Sequence, residues 1–326
     1  MGSMGQHHAR IMASLPGVRL VGVADADPRR VGAIASLYGV QAFEDYRHLL
    51  ESVEAVTIAV PTPLHHSVGM ESLHHGVHVL MEKPLATETT MARELAETAT
   101  SQSLVLQVGH VERFNPTFAE LAKILTNEHL LALEARRLSP FVQRAAGESA
   151  VLDLMVHDLD LVLKLVDSSI AEVQALGIRA RVPCIDHAIA HIRFSSGVVA
   201  NVTASKISQQ KVRDITAICE GCVVHADLLA RAVVIHRQVT SDYRAEAERV
   251  SYRQEGLVEQ VYVPLVEPLY GELAHFVQCV RTGQQPLVNA HDAIRVLELA
   301  KVIEAAAEAS AAELQRETGK QKQAKP

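Results

Sequence analysis

The 326-residue chain contains no apolar run near the roughly 20 residues needed to span a bilayer. No apolar signal-peptide core opens it, and Gln6 stands where a myristoylation pattern wants Ser or Thr. The expected location is the cytoplasm, with no membrane partner. Cysteine is scarce, at four residues. Cys184 and Cys279 are isolated, and Cys219-Glu-Gly-Cys222 lacks the second pair or His cluster that would complete a metal site. It reads as a turn between two strands, with redox or metal work as the alternative. The 17 histidines include the pairs His7-His8, His65-His66 and His74-His75, none in a metal-ligand pattern, so no metal is expected. A net charge of -7 argues against a general polyanion binder, so no nucleic-acid partner is expected. No internal repeat is present.

A further absence lies in the opening residues, MGSMGQHHARIMASLPG. A dinucleotide-binding turn reads G-x-G-x-x-G and follows a strand. Gly2 and Gly5 supply the last two glycines and a helical pattern follows, but the first glycine and its strand are not there. Asp25 comes twenty residues after Gly5, at the end of the strand-like VRLVGVA. A carboxylate there accepts hydrogen bonds from a ribose and repels a 2′-phosphate, which favours NAD over NADP. The alternative is that MGSMGQHH is a tag-like remnant. Without the first strand, neighbouring strands lose a hydrogen-bond ladder, so the recorded start is expected to lie late. A GTG valine codon read as a start would give Met1, and in-frame upstream DNA coding an apolar stretch ending in glycine would test this.

What is there divides in two. Up to about residue 110, helices alternate with short apolar strands: VRLVGVA, AVTIAV (55–60), VHVLME (77–82) and LVLQVG (104–109). This is the pattern of βαβ units and a parallel sheet. Pro28 opens one helix and Gly76 stops another. From Asn115-Pro116 the texture changes to longer extended segments, with Ser196-Gly197 as a hairpin signal. Helical AVLDLMVHDLDLVLKLV (150–166) interrupts them, and helical segments end the chain. The fold class is α/β. It combines an N-terminal Rossmann-type parallel sheet, its first strand missing, with a C-terminal α+β domain carrying a mostly antiparallel sheet. The domains are residues 1–115, 116–312 and a disordered tail, 313–326, with a ligand cleft expected between the first two.

Two constellations carry chemistry. Lys83, in Glu82-Lys83-Pro84, follows a parallel strand at its carboxyl end, where open α/β sheets bind ligands. Taken alone it reads equally as a solvated loop lysine. Asp153 and His157 are four apart on a helix and share a face, so the carboxylate can fix the imidazole's tautomer and raise its basicity. The alternative is a surface i,i+4 pair. Asp158 and Asp160 compete for the role but lack that spacing.

These motifs, with GVADADP, AVPTPLH, GHVERFNP and the ELAHFVQCVRTGQQPLVNAHDAIRVLELA tail, occur in the order of the Gfo/Idh/MocA oxidoreductases, which the chain resembles over nearly its whole length. That resemblance implies a nicotinamide-dependent dehydrogenase with Lys83, Asp153 and His157 catalytic. It implies a cofactor held by Gly2, Met4, Gly5, Asp25, Thr62, His65 and Glu82. VGHVERFNP, RLSPFVQR and TASKIS are most similar to the UDP-N-acetylglucosamine 3-dehydrogenase branch. The implied reaction is NAD-dependent oxidation of a sugar hydroxyl, the 3-hydroxyl of that nucleotide sugar or a relative. Alternatives are an inositol or other unactivated-sugar dehydrogenase, or a non-catalytic nucleotide-sugar binder. Arg113, Arg137, Arg144 and Lys206 are candidates to grip a substrate diphosphate, with exposed strand or loop charges as the alternative. The resemblance further implies a homodimer or homotetramer joined through the antiparallel sheet.

Overall fold

A computed structural model describes residues 1–142, 147–246 and 249–323. It divides into two units, Met1–Phe114 with Val266–Glu298, and Asn115–Leu265 with Leu299–Pro326. The first unit begins with α1 (Ser3–Met12), β1 (Gly22–Ala24), α2 (Pro28–Tyr38), β2 (Gln41–Phe43) and α3 (Tyr46–Leu50). It continues with β3 (Ala55–Ile58), α4 (His65–His74), β4 (His78–Glu82), α5 (Thr89–Ser101) and β5 (Leu106–Gly109). The local signals act as expected. Asp27 caps α2 by accepting the Arg29 N–H at 3.0 Å, and Pro28 supplies the first helical position. Gly39 closes that helix at φ +65, a conformation that favours glycine.

The strand ladders of this unit are parallel, as the βαβ pattern requires, with one antiparallel bridge from Gln107 of β5 to Asn289. β1 pairs with β2, and β3, β4 and β5 form a sheet in that order. Among the described residues no ladder joins β1 to β3. Val79, Leu80 and Met81 of β4 are fully buried, as a strand covered on both faces must be.

The second unit holds α6 (Pro116–Leu125), capped by Asn115, and β6 (Leu130–Leu138). A π-helical turn, Val151–Met155, runs directly into α7 (Val156–Leu165). Then come β7 (Ile170–Ile178), β8 (His187–Phe194), β9 (Val199–Ser205), β10 (Val212–Cys219), β11 (Cys222–Asp227), β12 (Ala232–Glu246) and β13 (Arg249–Val261). They form one eight-stranded sheet, ordered β13-β12-β11-β10-β6-β9-β8-β7. Every pairing is antiparallel except β6 with β9. α7 packs on β6 and β9, over the inward row that includes Leu133, Ala135, Ala200 and Val202. The Cys219–Cys222 segment is the turn between β10 and β11, and no cluster of His, Cys, Asp or Glu among the described residues could hold a metal.

Two boundaries differ from expectation. Helix α8 (Pro268–Thr282) and the first part of α9 (Ala290–Gln323) belong to the first unit, not to a continuous 116–312 domain. Leu273, Phe276 and Cys279 share a core with Ile11 and Leu80, and Val288, Ile294 and Leu297 pack with the β3–β5 sheet. The expected irregular tail from residue 313 is instead helical to Gln323. Its Ala, Glu, Gln and Lys are good helix formers, and they extend a helix already nucleated by packing. No helix among the described residues is long and apolar enough to cross a membrane.

Candidate active site

In the first unit the sequence-predicted residues collect at the carboxyl ends of parallel strands. Lys83 follows β4, half-buried, and joins Pro84 through a cis peptide. Glu82 Oε1 accepts from His8 Nε2 of α1 at 3.0 Å, and that imidazole is buried. Gly109, opposite on β5, leaves room for this carboxylate, because a Cβ there would lie 3.1 Å from it. Thr62 opens a single helical turn, Thr62–Leu64, that leads from β3 into α4. His65 is buried and clamped: Nδ1 lies 2.8 Å from the Pro84 carbonyl oxygen and Nε2 2.9 Å from that of Val60. It fixes the loop after β3 to the loop bearing Lys83, so its contribution to a cofactor passes through the loop and not through an open face.

His110, directly after β5, was not among the sequence candidates. Burial pushes its imidazole down to about 3, helped by the charges of Lys83 and Arg113. It therefore stays neutral throughout the neutral pH range. The rule that located Lys83, a polar side chain just beyond a parallel strand, would have located His110 too. His8 gave a weaker signal, as one of many histidines on a helix. Arg113 is buried and donates to the Leu287 carbonyl at 3.2 Å and to Asp292 at 3.3 Å.

The dinucleotide end can be tested against the residues present. α1 has no side-chain cap, and its N-cap Gly2 has only open space where a Cβ would point. An uncapped helix N-terminus with backbone N–H groups facing outward suits a pyrophosphate. Gly5 and the exposed Met4 lie in that first turn. Asp25 stands directly after β1, accepting the Asp27 N–H at 2.8 Å and the Met1 ammonium. The residues present fit a dinucleotide.

In the second unit Asp153 lies in the π-helical turn and His157 one turn on, in α7. A π turn within a helix frequently marks a functional site. Both side chains are half-buried, on one face, whereas Asp158 and Asp160 are buried. Asp158 is taken by Arg137, whose Nε and Nη2 donate to its two oxygens at 2.8 and 2.9 Å. Arg137 thus commits these two donors to a buried fork-to-fork pair with Asp158. Lys206 is also buried, with Nζ 2.8 Å from Asp153 Oδ2 and donating to the Glu148 carbonyl at 2.9 Å. Arg144 lies outside the described residues.

Comparison with known proteins bears on the family and the fold. Residues 1–110 match the family model described as oxidoreductase family, NAD-binding Rossmann fold, and residues 127–223 match the GFO/IDH/MocA C-terminal domain. The chain is 32% identical over 238 residues to UDP-N-acetylglucosamine 3-dehydrogenase of Acidithiobacillus ferrooxidans, covering 73% of this chain and 75% of that one. It is 26% identical to scyllo-inositol 2-dehydrogenase (NAD(+)) of Bacillus subtilis, covering 92% of this chain and 90% of that one. The solved structure of the Acidithiobacillus ferrooxidans enzyme superposes with a TM-score of 0.85 at 29% identity, over 95% of this chain and 96% of that one. The Rossmann-type parallel sheet, the mostly antiparallel second sheet and both family matches lead to one conclusion: the chain belongs to the Gfo/Idh/MocA family of NAD-binding oxidoreductases.

Proposed function

We propose that the chain oxidises a sugar hydroxyl to a ketone with NAD, the substrate being UDP-N-acetylglucosamine or a related nucleotide sugar and the position its 3-hydroxyl. The observation that carries the substrate class is the 32% identity to a UDP-N-acetylglucosamine 3-dehydrogenase over 73% of the chain. NAD, when bound, supplies the hydride acceptor. The uncapped turn at Gly2–Gly5 holds its pyrophosphate and Asp25 its ribose, where the carboxylate disfavours a 2′-phosphate. His157 takes the hydroxyl proton as general base. Asp153 orients that imidazole and stabilises its charged form. Lys83 donates to the same hydroxyl oxygen and offsets the negative charge that develops there. Glu82, held by His8, sits beside Lys83 and keeps its backbone placed. The protein works as a homo-oligomer.

The identity to scyllo-inositol 2-dehydrogenase over 92% of the chain favours a second reading, oxidation of a cyclic polyol. A panel of UDP-N-acetylglucosamine, free N-acetylglucosamine, scyllo-inositol and myo-inositol, each with NAD and with NADP, separates the two by NADH absorbance. The nucleotide-sugar reading expects turnover with UDP-N-acetylglucosamine and NAD, and loss of it when UDP is removed. Turnover on an inositol but not on the nucleotide sugar would overturn it.

A further inference from the structure

The structure assigns Lys206 as a positioning residue: its ammonium fixes the Asp153 carboxylate, and through that carboxylate its charge tunes the imidazole of His157. The assignment rests on the proposed roles of Asp153 and His157 and adds a third member to them. Lys206 reaches the pair from a different element, just beyond β9. Its Nζ lies 2.8 Å from Asp153 Oδ2, and the Glu148 carbonyl, 2.9 Å away, sets its height. Its backbone is pinned as well, because its N–H donates to the Asp186 carbonyl at 2.8 Å. The lysine side chain is 6% exposed and the Asp153 side chain 25%. One end of the pair is therefore anchored inside, and the other opens on the face shared with His157.

Other charges around this pair do not replace Lys206. Arg137 is occupied by Asp158, and Arg179 by Glu308. The Asp186 carboxylate accepts the Ala180 and Arg181 N–H groups. Asp160 is buried on α7. Glu304, from α9, receives the Ser149 hydroxyl at 2.6 Å, and burial pushes its carboxyl up, so it competes weakly for the ammonium. The Asp153 backbone is held independently, its N–H donating to the Ser149 carbonyl at 3.0 Å. Lys206 thus acts on the carboxyl group rather than on the turn that carries it.

The direction of the effect follows. A cation beside Asp153 partly cancels the carboxylate's field and disfavours protonation of His157; removing the cation favours it. Histidine NMR titration of the full chain, without substrate, reads this directly, with the His157 resonance identified by its absence in His157→Ala. Lys206→Met should raise the His157 midpoint by about half to one pH unit, and Lys206→Arg should leave it near the parent value. An unmoved midpoint in Lys206→Met would overturn the assignment. In turnover of whichever panel substrate is active, Lys206→Met should lower kcat about ten-fold in the parent and not at all in an Asp153→Asn background, since coupled residues are non-additive. An equal loss in both backgrounds overturns it. Should Lys206→Met alone fail to fold, because it strands a carboxylate, Asp153→Asn/Lys206→Met removes both charges. Its kcat equal to that of Asp153→Asn supports the assignment, and a further ten-fold fall, roughly the effect expected of an independent role, refutes it. Full turnover by His157→Ala would remove the proposed base role of His157 instead, and would leave the NMR result standing.

Discussion

At the residue scale the chain separates half-buried polar groups from those buried within the fold. His157 is half-buried on α7, four residues after Asp153. His157→Ala should cut turnover by on the order of 100-fold or more while leaving NAD affinity unchanged by calorimetry. Turnover equal to the parent's would remove it from the base role. His110 is the opposite case. Its folded-state imidazole is held at about 3 against an ordinary 6.5, so the unfolded chain binds the extra proton first as pH falls. Stability is full above 6.5 and declines below it, with a slope approaching about 1.4 kcal/mol per pH unit for this one group. Urea midpoints compared at neutral and mildly acidic pH should fall in the parent, and His110→Asn should flatten part of that fall. An identical pH slope in the two proteins would show that His110 does not carry it. Asp153 and His157 were legible because helical spacing is local. The burial of Arg137 and Lys206 was not, since which cation meets Asp158 or Asp153 depends on strands far apart in sequence.

At the element scale, the strands with strong apolar runs were readable and the weakly patterned ones were not. β3 (Ala-Val-Thr-Ile), β4 (His-Val-Leu-Met-Glu) and β5 (Leu-Gln-Val-Gly) lie in short, largely apolar stretches. β2 is only three residues long, and its burial is slight. β12 and β13 form the longest hairpin of the sheet, yet their sequence mixes Arg, Glu and Gln with Val and carries no two-residue glycine turn. α8 was visible as a helix, but periodicity says which face is buried and not which core buries it. One close approach was invisible until folded. β7 meets α9 at Gly177, where an added Cβ would sit 2.7 Å from the Ala307 carbonyl oxygen and 2.9 Å from its Cβ. Neither is the tip of a flexible side chain, so Gly177→Ala must push helix from strand. It should cost about 1–3 kcal/mol in chemical unfolding. A variant as stable as the parent would mean that α9 yields at this point.

At the scale of the whole molecule, the outward face of the eight-stranded sheet carries exposed aliphatic side chains among its polar ones. Leu176, Ile178, Val199 and Val223 stand there between 37% and 58% exposed, on alternate residues from the buried row. A face of this kind suits a second copy of the chain. Sedimentation should find a dimer or tetramer, and Val223→Lys should shift it toward monomer; a monomeric parent would end the idea. The parallel pairing of β6 with β9 gives that prediction a sharper form. Two strands that run the same way cannot be joined by a tight turn, so the chain must travel back over the sheet before it can lay down the second. Asp153 and His157 ride on that return journey, and they are committed to the side it takes. On the proposed roles of Asp153 and His157, and with subunits joined through the outward face, the two would occupy opposite surfaces of one slab, and a change that parts the subunits should leave the speed of proton removal alone.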